Sequence, residues 1–326
     1  MRQAVALLAL TVAACAGAAE KITLMAGGVE KIIYLPLTIA ERMGYFQQEG
    51  LEVETRSDLT GIRGTDMLLV GAVQGVVGFY DHTIYLQSQG KAVVCVVQFA
   101  QAPGEVELVS ARRAPARTMA DLKGCTLGVT GLGSSTHFLS RYLAISAGLR
   151  LNQIAFLPVG TGDSFIKAMN QGAITAGMTT EPTASQLLND GQARVLVDLR
   201  TPESTAQALG GSYPASCLYM ETAWVNRHKP EVQKVVNALA RALSYIQNHT
   251  AADLAEKVPA EFYAGDKAGY IKALAKSKAI FIPDGRMPDA GPGNVLRVLA
   301  RAEKSIQPQR IDLASTFTLE FIRAAK

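Results

Sequence analysis

The sequence contains few of the residues that enzymes and metal sites depend on. Among 326 residues it has four histidines, four cysteines and one tryptophan, and no two histidines or cysteines stand at a metal-binding spacing. A Gly-x-Ser-x-Gly nucleophile turn and a phosphate loop ending in Gly-Lys-Ser/Thr are also missing. We therefore expect a protein that is not an enzyme and that uses neither a metal nor another cofactor.

The chain also lacks a charge excess and long apolar runs. Without the one arginine of residues 1–19, 31 basic and 28 acidic residues leave a net charge of +3, and no basic cluster with interleaved aromatics indicates a nucleic-acid partner. No stretch approaches the roughly 20 apolar residues that a membrane-spanning helix needs. The hydrophobic content of 48% is enough for one large domain or two lobes.

The first nineteen residues predict export. Arg2 gives a positive start, residues 4–14 are small or apolar except Thr11, and residues 16–19 are small, as in a cleaved secretory signal. We therefore expect a periplasmic protein. A lipid anchor at Cys15 is the alternative, although a strand predicted from residue 21 would leave almost no tether; both possibilities stay open.

Three cysteines remain after residue 19: Cys95, Cys125 and Cys217. Each has apolar neighbours, which is typical of a buried, unreactive thiol. An odd number leaves at least one thiol free, and a bridge between Cys95 and Cys217 stays open.

Short apolar strands alternate with amphipathic helices along the chain, which predicts an α/β fold with largely parallel sheets. Two breaks in this pattern, near residues 104–112 and 199–215, suggest that one lobe is inserted into another. We expect lobe I to comprise residues 20–108 and 205–326, and lobe II residues 109–204. Two crossings make a hinge, and a hinge makes a cleft that can close on a ligand.

The most informative segment is residues 126–137, a strand that passes through a glycine-rich turn into a helix. Ser134, Ser135 and Thr136 begin that helix, where free amides and hydroxyls suit an anion. The carboxyl ends of strands are also where open α/β sheets bind ligands. His137 lies in the same first turn and is either a ligand contact or a structural histidine, neutral in both cases.

Other strand ends supply further candidates. Gly28 and Tyr34 follow the first strand, and Tyr80 and His82 follow the strand at residues 73–78, where each could face the cleft or pack in the core. Glu181 stands before Pro182 at the start of a helix, where glutamate is a poor cap. Three roles are therefore open for Glu181: a cap, a ligand contact or a pair across the cleft.

Two long motifs resemble a known family. Residues 35–53, LPLTIAERMGYFQQEGLEV, resemble the pattern P-L-x-I-A-x-x-x-G-Y-F-x-x-E-G-L-x-V of the nitrate/sulfonate/taurine-type (SsuA/THI5-like, NMT1-like) periplasmic binding proteins. Residues 121–137, with DLKG, GVT and GSSTH, are similar to that family's second-lobe motif. Glu181-Pro182 is similar to a further segment, here without its tryptophan.

The resemblance implies the type II periplasmic-binding fold and a monomer that passes a solute to the permease and ATPase of an ABC importer. We expect a small anionic organic solute, such as a sulfonate or a carboxylate. Two alternatives are a ligand-sensing module for a membrane receptor and a binding protein for a pyrimidine precursor of thiamine. A pyrimidine synthase sharing the fold is disfavoured, because its cysteine-rich motif is missing.

Overall fold

The computed structural model describes residues 20–58, 61–113 and 115–325. The signal predicted over residues 1–19 and the possible anchor at Cys15 therefore lie outside the described residues. The strands of the described residues are β1 Glu20–Ala26, β2 Leu51–Ser57, β3 Gly75–Phe79, β4 Val93–Gln98, β5 Glu105–Ser110, β6 Thr126–Val129, β7 Ala155–Pro158, β8 Ala176–Thr180, β9 Ala193–Leu199 and β10 Ser216–Glu221.

Helices connect these strands and cover the sheets. They are α1 Leu35–Arg42, α2 Tyr45–Gln48, α3 Gly61–Leu69, α4 Asp81–Ser88, α5 Ser135–Ser146, α6 Asp163–Asn170, α7 Thr183–Asn189, α8 Pro202–Leu209, α9 Thr222–Arg227, α10 Lys229–Asn248, α11 Ala251–Ala255, α12 Lys267–Ser277, α13 Gly291–Ala302 and α14 Glu320–Ala324.

The strands form two five-stranded sheets, one in each lobe. The order is β2-β1-β3-β10-β4 in the first and β7-β6-β8-β5-β9 in the second. In each sheet a single strand runs against the others: β10 is antiparallel to β3 and β4, and β5 is antiparallel to β8 and β9. The predicted α/β class with two lobes is confirmed, and the sheets are mixed rather than wholly parallel.

The two antiparallel strands are those that the chain enters directly from the other lobe. The passages are residues 99–104, between β4 and β5, and residues 200–215, between β9 and β10. A chain that leaves one sheet at its carboxyl edge meets the facing edge of the other sheet first, so the next strand points away from the cleft. Both crossings therefore lie at the mouth between the lobes.

The structure places the first crossing earlier than the predicted boundary between residues 108 and 109. That boundary falls inside β5, which pairs with β9 along its whole length, from Glu105 to Ser110. The break in the strand-and-helix pattern that is easiest to see in the sequence, around residues 112–115, comes after β5 and does not mark the crossing. At the second crossing the chain forms α8, which the sequence analysis missed although Thr201 caps it and Gly210 ends it.

Apolar residues at the expected periods build the cores. All of β3 and β4 is buried, and the long helix α10 packs on α1 through one apolar face, Val232, Val235, Val236, Leu239, Leu243 and Ile246. Cys95, Cys125 and Cys217 are buried and free, so Cys95 and Cys217 are not bridged. Across the described residues, no helix combines the length and apolar character needed to cross a membrane.

Candidate functional site

A cavity lies between the two lobes, at the carboxyl edges of both sheets. Its volume is about 10 Å³, which is room for about one water molecule. The first lobe contributes Lys31, Ile33, Tyr34, Phe79 and His82. The second lobe contributes Glu105, Thr130, Ser134, Ser135, Thr136 and Thr180.

The loop after β1 places a lysine and a tyrosine on the wall of the first lobe. Gly28 has φ +93°, and its carbonyl accepts a hydrogen bond of 3.1 Å from the Lys31 amide. The Lys31 ammonium turns back and donates to the Gly27 carbonyl at 2.5 Å. A Cβ at Gly28 would lie 2.8 Å from Cε of Lys31. Gly28 therefore shapes this wall without lining the cavity, whereas Tyr34 is part of the lining.

His82 lies in the first turn of α4, next to the end of the buried strand β3. Its Nδ1 is 3.2 Å from the Tyr219 hydroxyl, while Nε2 is buried and has no partner within the protein. Burial lowers the pKa of His82 to about 4, so the ring is neutral at pH 7. It presents a ring nitrogen that can donate or accept according to the tautomer.

Asp81 lies behind His82 at the start of α4. Its Oδ2 accepts a hydrogen bond of 3.1 Å from the Tyr213 hydroxyl, and its Oδ1 is 3.8 Å from Nε2 of His82 without a hydrogen-bond partner. Burial raises the pKa of Asp81 to about 7, although the bond from Tyr213 opposes this. The first-lobe wall thus has a partly protonated carboxyl group just beyond the cavity lining.

The glycine-rich turn before α5 forms the opposite wall, and most of its hydroxyls bond to one another. The Ser134 hydroxyl donates to the Gly131 carbonyl at 2.7 Å and caps α5 by accepting from the His137 amide at 3.4 Å. The Thr136 hydroxyl accepts from the Thr130 amide at 3.0 Å. These contacts fix the turn, so a ligand meets chiefly the amides of the first helical turn, which lack helical partners.

The Ser135 hydroxyl donates to Oε1 of Glu105 at 2.7 Å. Glu105 is the first residue of β5 and pairs with Thr180 of β8, so both side chains reach the cavity from neighbouring strands. Burial raises the pKa of Glu105 to about 8; the bond from Ser135 and the charge of Lys31 oppose this, and the charge of Asp81 adds to it.

Three buried polar atoms on this lining have no partner within the protein: Nε2 of His82, Oε2 of Glu105 and Oγ1 of Thr180. Leaving such atoms unpaired costs about 1 to 3 kcal/mol each. The three residues come from both lobes and line the same cavity.

Four of the nine predicted site residues do not line the cavity. Gly28 acts through the Lys31 loop, as described above. The Tyr80 hydroxyl bonds Oγ1 of Thr316 at 2.6 Å, which turns this side chain toward the C-terminal segment. Nδ1 of His137 accepts from the Gly133 amide at 3.1 Å, and burial lowers its pKa to about 4, so this neutral histidine stabilises its own turn.

Glu181, the fourth, forms contacts at the hinge. Its Oε1 pairs with Arg200 at 2.7 Å, and its Oε2 accepts from the Ser185 amide at 2.9 Å. Its backbone carbonyl accepts from the Ile32 amide of the first lobe at 3.2 Å. Of the three roles left open, the carboxylate thus caps α7 and pairs with an arginine of the crossing segment.

Three further residues line the cavity and were not predicted from sequence: Lys31, Glu105 and Thr180. Glu105 is the first residue of an antiparallel strand, so it lies at the amino end of that strand. The rule that ligands bind at the carboxyl ends of strands therefore does not select it. One signal was available: two glutamates alternate with apolar residues in β5, and both Glu105 and Glu107 are buried. Among the described residues, no group of three or more His, Cys, Asp or Glu side chains is placed to hold a metal ion.

Comparison with known proteins places the chain beside binding proteins. The family model described as NMT1/THI5 like matches residues 33–252. The putative binding protein YtlA of Bacillus subtilis (strain 168) is 24% identical over 249 residues, 71% of this chain and 68% of that protein.

Two solved structures share the fold over nearly the whole chain. A protein from Bordetella bronchiseptica RB50 is 34% identical with a TM-score of 0.90, covering 93% of this chain and 96% of that one. The alkanesulfonate-binding protein SsuA from Xanthomonas axonopodis pv. citri, bound to MOPS, is 20% identical with a TM-score of 0.73, covering 93% and 99%. At that identity the second match bears on the fold alone.

Proposed function

The chain belongs to the NMT1/THI5 like family, and we propose that it is the extracytoplasmic solute-binding component of an ABC importer. The observation that carries the proposal is the cavity lined by both lobes, with unpaired polar atoms on each side. A solute that bridges His82 of one lobe and Glu105 or Thr180 of the other would favour the closed form over the open one. Such differential binding is what couples a ligand to closure.

The solute is a small organic molecule with an anionic end, held at the start of α5. Two features of the site support this part of the proposal. The amides of Ser135 and Thr136 lie at the positive end of a twelve-residue helix, which favours negative charge. Lys31 contributes a buried ammonium to the same cavity.

Entry of the solute requires the lobes to separate, because the closed cavity holds about one water molecule. Several contacts join the lobes in this closed form. The Ile32 amide donates to the Glu181 carbonyl at 3.2 Å, Arg141 of α5 pairs with Glu303 after α13 at 2.8 Å, and Arg297 of α13 donates to the Tyr142 hydroxyl of α5 at 3.1 Å. A solute that binds only the closed form adds to these contacts and shifts the equilibrium toward closure.

Uptake by the source organism tests the proposal. After a solute has been identified by thermal shift of the purified protein, deletion of the gene should abolish its accumulation. The wild-type gene should restore it, and a gene for a variant whose cavity no longer binds the solute should not. Uptake that survives deletion, together with loss of a transcriptional response to the same solute, would contradict transport and favour the sensing module.

A further inference from the structure

The Glu105 carboxyl group is buried beside the cavity, and the protein supplies a partner to only one of its two oxygens. The residue is 1% exposed. Oε1 accepts a hydrogen bond of 2.7 Å from the Ser135 hydroxyl, whereas Oε2 has no hydrogen-bond partner among the described residues. Because Glu105 lines the cavity between the lobes, Oε2 is the oxygen left for a solute to contact.

The lysine that lines the same cavity is bonded elsewhere. The Lys31 ammonium donates to the Gly27 carbonyl at 2.5 Å and acts on Glu105 through its charge alone. A buried carboxyl group without a bonded cation is more stable as the neutral acid than as the anion. Burial accordingly raises the pKa of Glu105 to about 8, so the group holds its proton at pH 7.

The bond from Ser135 indicates where that proton lies. The better acceptor in a neutral carboxyl group is its carbonyl oxygen, and the other oxygen carries the hydrogen. Since Oε1 accepts from the Ser135 hydroxyl, Oε1 is the carbonyl oxygen and the hydrogen lies on Oε2. Glu105 thus presents an O–H donor to the cavity and no charge.

The polar groups around this O–H can donate as well. The amides of Ser135 and Thr136 begin α5, and the Lys31 ammonium carries several N–H donors. The Thr180 hydroxyl is buried and has no partner among the described residues, so it can donate to a solute too. Such a set of donors suits the oxygens of an anion, and an ionised Glu105 among them would repel that anion.

We infer that Glu105 contacts the solute as a neutral acid, with the O–H of Oε2 donating to the solute's anionic group, and that the site therefore holds its solute together with a proton. The inference rests on the proposed function, because it requires an anionic solute in the cavity. It makes Glu105 a specificity-determining residue. Its O–H favours a head group that only accepts hydrogen bonds, and loss of the proton makes the same side chain repel that head group.

Other titratable groups act on Glu105 or line the same cavity, and their contributions have to be separated from its own. They come from the segment after β1, from α4, from β5 itself and from the segment before β10: Lys31, Tyr34, Asp81, His82, Glu107 and Tyr213. Burial raises the pKa of both tyrosines and lowers that of His82 to about 4, so these three stay neutral from pH 7 to 9. The share of Glu105 is therefore read as the difference between the wild type and a variant at this position.

Two replacements of Glu105 distinguish a donor from a charge. Glutamine keeps a neutral donor, its amide N–H, at every pH, whereas leucine has a similar size and no donor. The matched control is Glu107→Gln, two residues along the same strand. Glu107 is also buried, and its Oε2 accepts from the Ser140 hydroxyl of α5 at 2.5 Å, but it lies outside the cavity lining.

The proton is first observed without any solute. Carbon-13 NMR of protein labelled at the glutamate side-chain carboxyl carbons follows their titration, and the signal lost in Glu105→Gln is that of Glu105. We expect this signal, and the one lost in Glu107→Gln, to titrate near pH 8. A Glu105 carboxyl group that is ionised at pH 7 overturns the inference and leaves the proposed function standing.

Binding is then measured by titration calorimetry with ethanesulfonate, propionate and nitrate, and with any further anion that a thermal-shift screen identifies. In the wild type, affinity for an anion that binds should fall roughly tenfold from pH 7 to pH 9. Heats of binding in Tris and borate buffers at pH 9 should show the uptake of about one proton. Glu105→Gln should take up fewer protons and bind several-fold more tightly than the wild type at pH 9.

Glu105→Leu, which lacks the donor, should bind the anion roughly tenfold more weakly than Glu105→Gln, and Glu107→Gln should keep the wild-type dependence on pH. A wild-type affinity that stays constant or rises from pH 7 to pH 9 overturns the inference, and so does equal affinity of Glu105→Gln and Glu105→Leu. If no anion in the screen binds, the proposed function fails, and the inference fails with it. Should Glu105→Gln not fold, the carboxyl signal that remains near pH 8 in Glu107→Gln and the wild-type proton uptake decide.

Discussion

The Ser135 hydroxyl donates a 2.7 Å hydrogen bond to Oε1 of Glu105, which ties the first turn of α5 to the first residue of β5. Ser140 and Glu107 repeat this contact at 2.5 Å, deeper in the second lobe. The two pairs join the same helix to the same strand, but only the first pair faces the cavity. Binding and stability can therefore be separated by changing one pair at a time.

Replacing Ser135 by alanine is expected to weaken solute binding. The change removes the bond that orients Glu105, which should cost about 1 to 2 kcal/mol, or roughly 5- to 30-fold in affinity. Calorimetry with the identified solute measures it, and Ser140→Ala serves as the matched control. Equal losses of affinity in both variants would show that the Ser135 hydroxyl has no special role at the cavity.

Affinity for an anionic solute should fall as pH rises through the titration of Glu105. Its pKa of about 8 lies above the ordinary value of 4.5, so below pH 8 the carboxyl group is neutral and its O–H can donate to the solute, whereas above pH 8 its negative charge repels the solute. Affinity should then fall by up to about tenfold per pH unit above pH 8. Lys31, Asp81 and Glu107 also act on this group, whereas His82, with a pKa of about 4, stays neutral from pH 6 to 9.

The measurement is calorimetry with the identified solute between pH 6 and 9. Glu105→Gln should remove most of this slope, leaving the smaller contribution of Asp81, whose pKa is about 7. If Glu105→Gln shows the same dependence of affinity on pH as the wild type, the proton that controls binding belongs to another group.

Glu107 makes the folded protein less stable as pH rises. Burial raises its pKa to about 8 from the ordinary value of 4.5, so the native protein holds the proton more tightly than the unfolded chain does. The stability that Glu107 contributes is complete below about pH 4.5 and is lost as pH rises to about 8. Glu107→Gln should therefore raise the free energy of unfolding by about 1 to 4 kcal/mol at pH 9 and have little effect at pH 4.5.

Urea unfolding of the two proteins at pH 4.5, 7 and 9 checks this expectation. Ser140→Ala is a useful companion, because removing the hydroxyl that bonds Glu107 should lower stability at every pH. If the difference in the free energy of unfolding between Glu107→Gln and the wild type does not grow with pH, Glu107 does not hold a buried proton.

The parts of the site that sequence could predict are local. Ser134, Ser135 and Thr136 follow a strand through a glycine-rich turn, a pattern contained within a dozen residues, and all three line the cavity. His82 and Tyr34 were predicted for the same reason. Each lies in the segment that follows a buried strand, β3 or β1, and each lines the cavity.

The residues that were missed or misplaced depend on distant contacts. Tyr80 turns away because Thr316, 236 residues further along the chain, binds its hydroxyl, and no local pattern encodes that pair. Glu105 reaches the site because the chain crosses between the lobes before β5 and enters the second sheet antiparallel. The fold class followed from alternating strands and helices, but the position of that crossing depends on strand pairing.

Arg200 holds the hinge segment to the second lobe through two carboxylates. It pairs with Glu181 at 2.7 Å and with Asp198 at 2.6 Å, and the side chain of Glu181 is only 2% exposed. Arg200→Leu would leave that buried carboxylate without its cation, which should cost about 2 to 5 kcal/mol of stability. Thermal or urea unfolding measures the loss. The control is Arg286→Leu, which removes an exposed ion pair with Asp284 and should change stability by less than about 1 kcal/mol.

A crystal structure of the protein with its identified solute tests the central claim most directly. We expect one solute molecule between the lobes, with its anionic end at the amides of Ser135 and Thr136 and a polar atom within about 3.2 Å of Oε2 of Glu105. A solute bound elsewhere on the chain, or bound between the lobes without touching Glu105 and Ser135, would contradict the account.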